Sequence, residues 1–167
     1  MQVITDLEEN KFHDLKTAGA YEWWYFDCID EDNEYSFVAI FLTGNPFSPD
    51  YSNRIKNHLK SSGSTIPDPL DFCAISFNLY FQDRVLYRVL YEYEKDFFSI
   101  ESDNGSEKIS IDRSNFYFER SENKFYLNIN LPDSQISNQF KSEFVFTVKS
   151  DPSELKKAGQ TENNGHF

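Results

Sequence analysis

Cysteine is nearly absent from this chain of 167 residues, and the two present, Cys28 and Cys73, are too few for a disulfide framework or a zinc cluster. Both fall in strand-like segments and read as buried free thiols. Basic residues are scarce too. Sixteen Lys and Arg stand against 28 Asp and Glu, a net charge of −12 that repels phosphate backbones, so nucleic acid is not an expected partner. Histidine occurs only at His13, His58 and His166, far apart and without clustered cysteines or carboxylates at ligand spacing, so no metal is expected. Neither a glycine-rich phosphate loop nor a Gly-x-Ser-x-Gly elbow occurs, which leaves nucleotide binding and acyl-enzyme hydrolysis without support and implies no cofactor. No segment approaches the roughly twenty apolar residues of a membrane helix. The start, Met1 to Lys16, is polar and acidic and unlike a signal peptide, so the chain reads as soluble and cytoplasmic.

What the chain has in abundance is rings. Seventeen Phe, ten Tyr and two Trp, with helix formers not prominent, favour strands. The clearest period-two segment is 85–94, where Val85, Tyr87, Val89, Tyr91 and Tyr93 share one face and Leu86, Arg88, Leu90, Glu92 and Glu94 the other. The same alternation marks strands at 21–28, 35–43, 72–82, 97–101, 107–111, 115–120, 124–131 and 142–149. Short turn-forming connections join them at Asp30 to Glu34, Asp83 with Arg84, Asp103-Asn104-Gly105 and Ser121-Glu122-Asn123. Hairpins without helical crossovers make an antiparallel sheet, and a sheet of so many strands curls into a barrel or splits into a sandwich. A meander barrel or curled sheet is the expected all-β architecture, occupying one domain over 1–150.

Two stretches depart from the pattern. Gly44 to Asp71 holds Pro46, Pro49, Pro67 and Pro69 and is far longer than a hairpin loop, so it reads as a lid or an insert. Its basic residues Arg54, Lys56, His58 and Lys60 belong either to a solvated loop or to one short helix with Ile55 and Leu59 turned inward. The tail 151–167 reads as a linker, opened by Asp-Pro-Ser-Glu and ending at His166-Phe167 like the start of a further strand.

The densest signal is Tyr21-Glu22-Trp23-Trp24-Tyr25-Phe26-Asp27, followed by a second strand and then Gly44-Asn45-Pro46-Phe47-Ser48-Pro49. This pair of motifs resembles the carotenoid 1,2-hydratase (hydroxyneurosporene synthase) family and the wider AttH-like, lipocalin-related group. The resemblance implies two lipocalin-like β domains, of which this chain supplies the first and a C-terminal β domain is the missing partner. It also implies a lyase of carotenoid biosynthesis, adding water to a terminal carbon-carbon double bond of an acyclic polyene without a cofactor.

Read without the family, the first motif places Glu22, Trp24 and Phe26 on one face and Tyr21, Trp23, Tyr25 and Asp27 on the other. A strand aromatic on both sides is covered twice, by core on one side and by a ligand, loop or second domain on the other, or is simply core. Trp23, Trp24, Tyr25, Asn45 and Phe47 are the expected contacts to a hydrophobic polyene, isoprenoid or lipid, since rings offer wide area at little entropic cost. Glu22 and Asp27 are the candidate proton donors, because burial keeps a carboxyl protonated, or else they anchor the hairpin. Two functions remain open: a hydratase-like enzyme, collecting substrate by peripheral membrane contact, or a non-catalytic lipocalin-like binder of a hydrophobic molecule.

Overall fold

The computed structural model describes residues 11–61, 64–103, 106–132 and 139–148. Every strand segment expected from the alternation is present: β1 Glu22–Ile29, β2 Tyr35–Thr43, β3 Cys73–Phe81, β4 Arg84–Tyr93, β5 Phe98–Asp103, β6 Ser106–Ile111, β7 Ser114–Glu119, β8 Lys124–Pro132 and β9 Gln139–Thr147. All pair antiparallel with their sequence neighbours within a sheet. The Asp103-Asn104-Gly105 turn lies partly, and the 151–167 linker wholly, outside the described residues.

The strands do not close into one barrel. They form a four-stranded sheet, β1 to β4, and a five-stranded sheet, β5 to β9, with the chain leaving the first for the second through a 3-10 turn at Lys95–Phe97. Each meander turns an apolar face inward and buries it by packing on the other, which is the sandwich solution to the same pattern. One buried cluster takes Trp24, Phe37, Ala39, Phe41, Cys73, Ile75 and Phe77 from the first sheet and Ile109, Ile111, Phe116, Leu127, Ile129 and Leu131 from the second. Phe116 is its aromatic hub, with ring centroids 5.4 Å from Trp24, 5.1 Å from Phe26 and 5.1 Å from Phe41.

Hairpin chemistry explains the local register. Asp30 accepts from the main-chain N–H groups of Glu34 and Tyr35 at 2.7 and 3.0 Å, closing the β1–β2 turn. The β3–β4 turn falls at Gln82 and Asp83, both at positive φ, one residue earlier than the expected Asp83-Arg84. A register shift between Leu79 and Tyr80 then turns Val85 to the outer face, so it does not share the inward side with Tyr87, Val89, Tyr91 and Tyr93.

The 44–71 stretch is neither a solvated loop nor a bare insert. It forms helix α1, Pro49–Lys60, capped by Ser48 and opened by Pro49, then a 3-10 turn at Pro69–Phe72. Tyr51 anchors the helix, fully buried against Phe72 at 4.6 Å, its hydroxyl donating to the Ala20 carbonyl at 2.6 Å. Ile55 is partly buried, in keeping with the helical alternative, but Leu59, expected inward with it, is 73% exposed. No described helix is long and apolar enough to cross a membrane.

Two outcomes are expected of this core. Phe116→Ala removes a ring that joins the sheets and should cost about 3–5 kcal/mol in urea unfolding; a loss below about 1 kcal/mol would contradict a shared core. Burial pushes the Cys73 thiol up to about 12, so Ellman's reagent should leave it unmodified in the folded protein and titrate both thiols only after denaturation.

Candidate functional site

Strand β1 lies at the edge of the first sheet, and its alternation splits the motif between two surroundings. Trp24 is 5% exposed and packs in the core between Phe12 and Phe116, whereas Trp23 is 54% exposed on the opposite face beside Tyr21. Tyr25 and Asp27 share the outer side with Trp23, and Phe26 points inward among Phe41, Phe116, Phe125 and Phe146. The two tryptophans therefore do not line one pocket.

The outer face that Trp23 occupies carries apolar side chains beyond β1, set among Asp27, Asn78, Arg88 and Glu92. Register places Tyr25 beside Ile40, Ser76 and Leu90 in one row across the sheet, and Trp23 beside Leu42 and Ala74 in the next. Helix α1 and the 3-10 turn bury the Leu42 and Ala74 end, while Trp23, Tyr25, Ile29, Leu86 and Leu90 stay exposed. The second sheet's outer face is polar by contrast, with a row of Glu101, Lys108, Tyr117, Tyr126 and Val145 and another of Ser99, Ser110, Asn115, Asn128 and Glu143. The first outer face exposes more large apolar side chains than the second, where Val145 is exposed, and is the candidate contact surface.

The second motif is structural in its details. Gly44 adopts φ +64° and any side chain there would strike the Ala20 carbonyl, so only glycine fits. Asn45 is fully buried, donates to Glu92 at 2.8 Å and accepts from the Phe47 N–H at 3.0 Å, while Ser48 and Pro49 start α1. Phe47, expected beside Asn45 at a ligand, is 68% exposed at the loop surface away from the tryptophans' core contacts. Two open grooves, of about 530 Å3 at Ser48, Arg54, Phe72, Glu92 and Lys95 and about 610 Å3 at Glu101, Lys108, Tyr117 and Arg120, are lined by neither tryptophan.

The two candidate carboxylates part company as well. Asp27 is exposed on the apolar outer face. Glu22 is partly buried on the inner side, where its two oxygens take the His13 main-chain N–H at 3.0 Å and His13 Nδ1 at 2.6 Å. Desolvation holds its carboxyl above the ordinary value; the His13 hydrogen bonds pull the other way, and the Glu107 charge adds to the rise. The sequence offered no sign of this arrangement, because Glu107 meets the Phe12 N–H across 95 positions of chain. Among the described residues no group of three His, Cys, Asp or Glu is placed to hold a metal ion.

With this geometry in view, similarity to known proteins becomes informative. The chain is 28% identical over 146 residues to hydroxyneurosporene dehydrogenase of Chlorobaculum tepidum, covering 87% of this chain and 38% of that protein. It is 36% identical over 64 residues to acyclic carotenoid 1,2-hydratase of Thiocapsa roseopersicina, covering 38% of this chain and 14% of that one. The chain is related to carotenoid-modifying proteins. It spans well under half the length of either relative. No family model and no solved structure matches it.

The raised Glu22 carboxyl carries a pH signature. Its ionised form costs the fold something above the folded-state pKa, and that cost disappears as pH falls through it toward the unfolded value of 4.5. Wild type should therefore gain stability relative to Glu22→Gln between neutral pH and about pH 5 in paired urea titrations. A relative loss over that range would mean that the His13 contact outweighs desolvation.

Proposed function

We propose that this chain is the N-terminal, lipocalin-like domain of a carotenoid 1,2-hydratase-like protein, and that it holds an acyclic polyene against the outer face of its first sheet. The observation that carries the reading is the excess of exposed apolar side chains on the first sheet, where Trp23, Tyr25, Ile29 and Leu90 stand among Asp27, Arg88 and Glu92, over the second, whose outer face is richer in charged and amide groups and exposes Val145. A flat aromatic strip matches a rigid apolar chain in shape and chemistry, and a polyene carries no charge for an acidic protein to repel. The names of the two relatives supply the substrate class. A C-terminal β domain of the kind the family resemblance implies would cover the ligand from the other side.

In the hydration itself, a carboxylic acid gives its proton to the less substituted carbon of the terminal double bond, water attacks the tertiary cation left on the other carbon, and the oxonium returns a proton to the carboxylate. No electrons are exchanged and no cofactor is consumed. Trp23 and Tyr25 would stabilise the cation through their π faces. Asp27 shares their face and becomes a usable acid once that face is covered from water; Glu22, already desolvated, is the alternative donor on the opposite face.

Incubating the intact protein with lycopene, without added cofactor, should yield a product heavier by one water, and Asp27→Asn or Glu22→Gln should abolish it. Absence of product over a panel of acyclic polyenes, together with saturable polyene binding weakened about tenfold or more by Trp23→Ala, would instead establish the second reading, a non-catalytic lipocalin-like binder. That alternative is favoured by the separation of the two carboxylates onto opposite faces of β1.

A further inference from the structure

Among the described residues, strand β1 pairs with β2 alone, over all eight of its residues and without a bulge. The Asp30 N–H bonds the Tyr35 carbonyl and the Gln82 N–H the Glu34 carbonyl, which fixes the parity of both ladders. Glu22, Trp24, Phe26 and Cys28 therefore turn their main-chain groups to β2, and Trp23, Tyr25, Asp27 and Ile29 turn theirs away from the sheet. None of those four outward N–H groups has an acceptor among the described residues. Phe12 and His13 lie at the Glu22 end, so the open run is Tyr25 to Ile29. The other sheet edges are blunted: β4 is bulged against β3 and carries Arg84 and Arg88, β5 is short and ends in Glu101-Ser102-Asp103, and β9 carries Lys141. β1 has no bulge, no proline and no basic residue, and it exposes Trp23, Tyr25 and Ile29.

The place beside β1 has a floor. Phe118 of β7 and Phe125 of β8 lie on the inward side of the second sheet, by the same alternation that buries Phe116 and Leu127. Their rings are 4.7 Å apart; Phe125 is 6.4 Å from Phe26 of β1, and Phe118 meets no described ring of the first sheet. Both are only partly buried, so the first sheet stops short of covering the second. The β1 edge of another copy would bring its own projecting rings into the same step, so the space admits a single strand and not another sheet edge. Charge narrows the occupant further. No Lys or Arg lies between Lys16 and Arg54, while Glu22, Asp27, Asp30, Glu31, Asp32 and Glu34 line β1 and its turn. A second copy of this acidic chain is repelled there, and a basic segment is drawn in.

We propose that the open edge of β1 is a strand-addition site for a single extended segment of a separate polypeptide, in which Lys or Arg alternates with apolar residues. The segment's main chain supplies partners to the outward groups of Tyr25, Asp27 and Ile29. Its residues whose main-chain groups face β1 carry their side chains on the outer face, where a Lys or Arg meets Asp27; the intervening residues point inward and cover Phe118 and Phe125. Nothing in this site depends on the ligand proposed for the outer face.

Amide hydrogen exchange followed by NMR reads the site residue by residue. In the free chain the Trp24, Phe26 and Cys28 amides should exchange slowly and those of Tyr25, Asp27 and Ile29 fast. A blocked peptide of alternating lysine and valine should slow the fast set about tenfold or more at saturation. N-methylation of its lysines, whose N–H groups face β1, should abolish the effect, and N-methylation of its valines should leave it intact. Asp27→Lys should weaken peptide binding severalfold with the circular dichroism unchanged. Protection of the fast set before peptide is added would show that the chain covers its own edge, and protection that grows with protein concentration would place a second copy there. Either result would overturn the proposal. So would no slowing up to millimolar peptide, slowing that survives lysine methylation or is lost on valine methylation, or full affinity in folded Asp27→Lys.

Discussion

The constraint on which the structure depends is the pressing of two sheet faces together across rings, with strand alternation deciding which rings those are. Once Trp24 and Phe26 meet Phe116 in the core, the period of two leaves no choice for their neighbours. Trp23, Tyr25 and Asp27 must stand on the other side. A slip of one residue in β1 would bury a carboxylate and expose Phe26, so the motif's paired tryptophans are pinned in opposite roles. What remains outside is an aromatic surface on an edge strand, presented by a core that cannot rearrange without losing several buried rings.

The other motif serves that presentation. Gly44 turns the chain against Ala20, Asn45 ties the turn to Glu92 of β4, and Ser48 with Pro49 launches the helix that covers one end of the outer face. The two motifs, distant in sequence, are joined through the Ala20 carbonyl, which accepts the Tyr51 hydroxyl from the helix. The loop braces one end of the aromatic strip and leaves the remainder of that face uncovered.

Much of this was legible in the residues. Alternation located the described strands, because each turns alternate side chains toward the shared core. Barrel against sandwich was not legible, since both satisfy the same alternation and differ only in whether edge strands find each other. The exposed flip of Val85 was hidden because a bulge depends on its partner strand. Helix α1 was masked by the prolines at 46, 67 and 69 around it, which suggest irregular chain, although Ser48-Pro49 is a sound helix start. At the site, the outward group of Tyr21, Trp23, Tyr25 and Asp27 could be read from parity alone, whereas the ties of Phe12 and His13 to Glu107 and Glu22 join segments whose proximity no local pattern announces.

The opposed roles of the two indoles can be observed directly. In protein labelled with 5-fluorotryptophan and assigned by Trp23→Phe, a soluble gadolinium chelate should broaden the fluorine resonance of Trp23 and leave that of Trp24 sharp, and an added polyene should restore the first while shifting it. Equal broadening of both resonances, or protection of both before any ligand is present, would contradict the division of β1 into a core face and an exposed outer face.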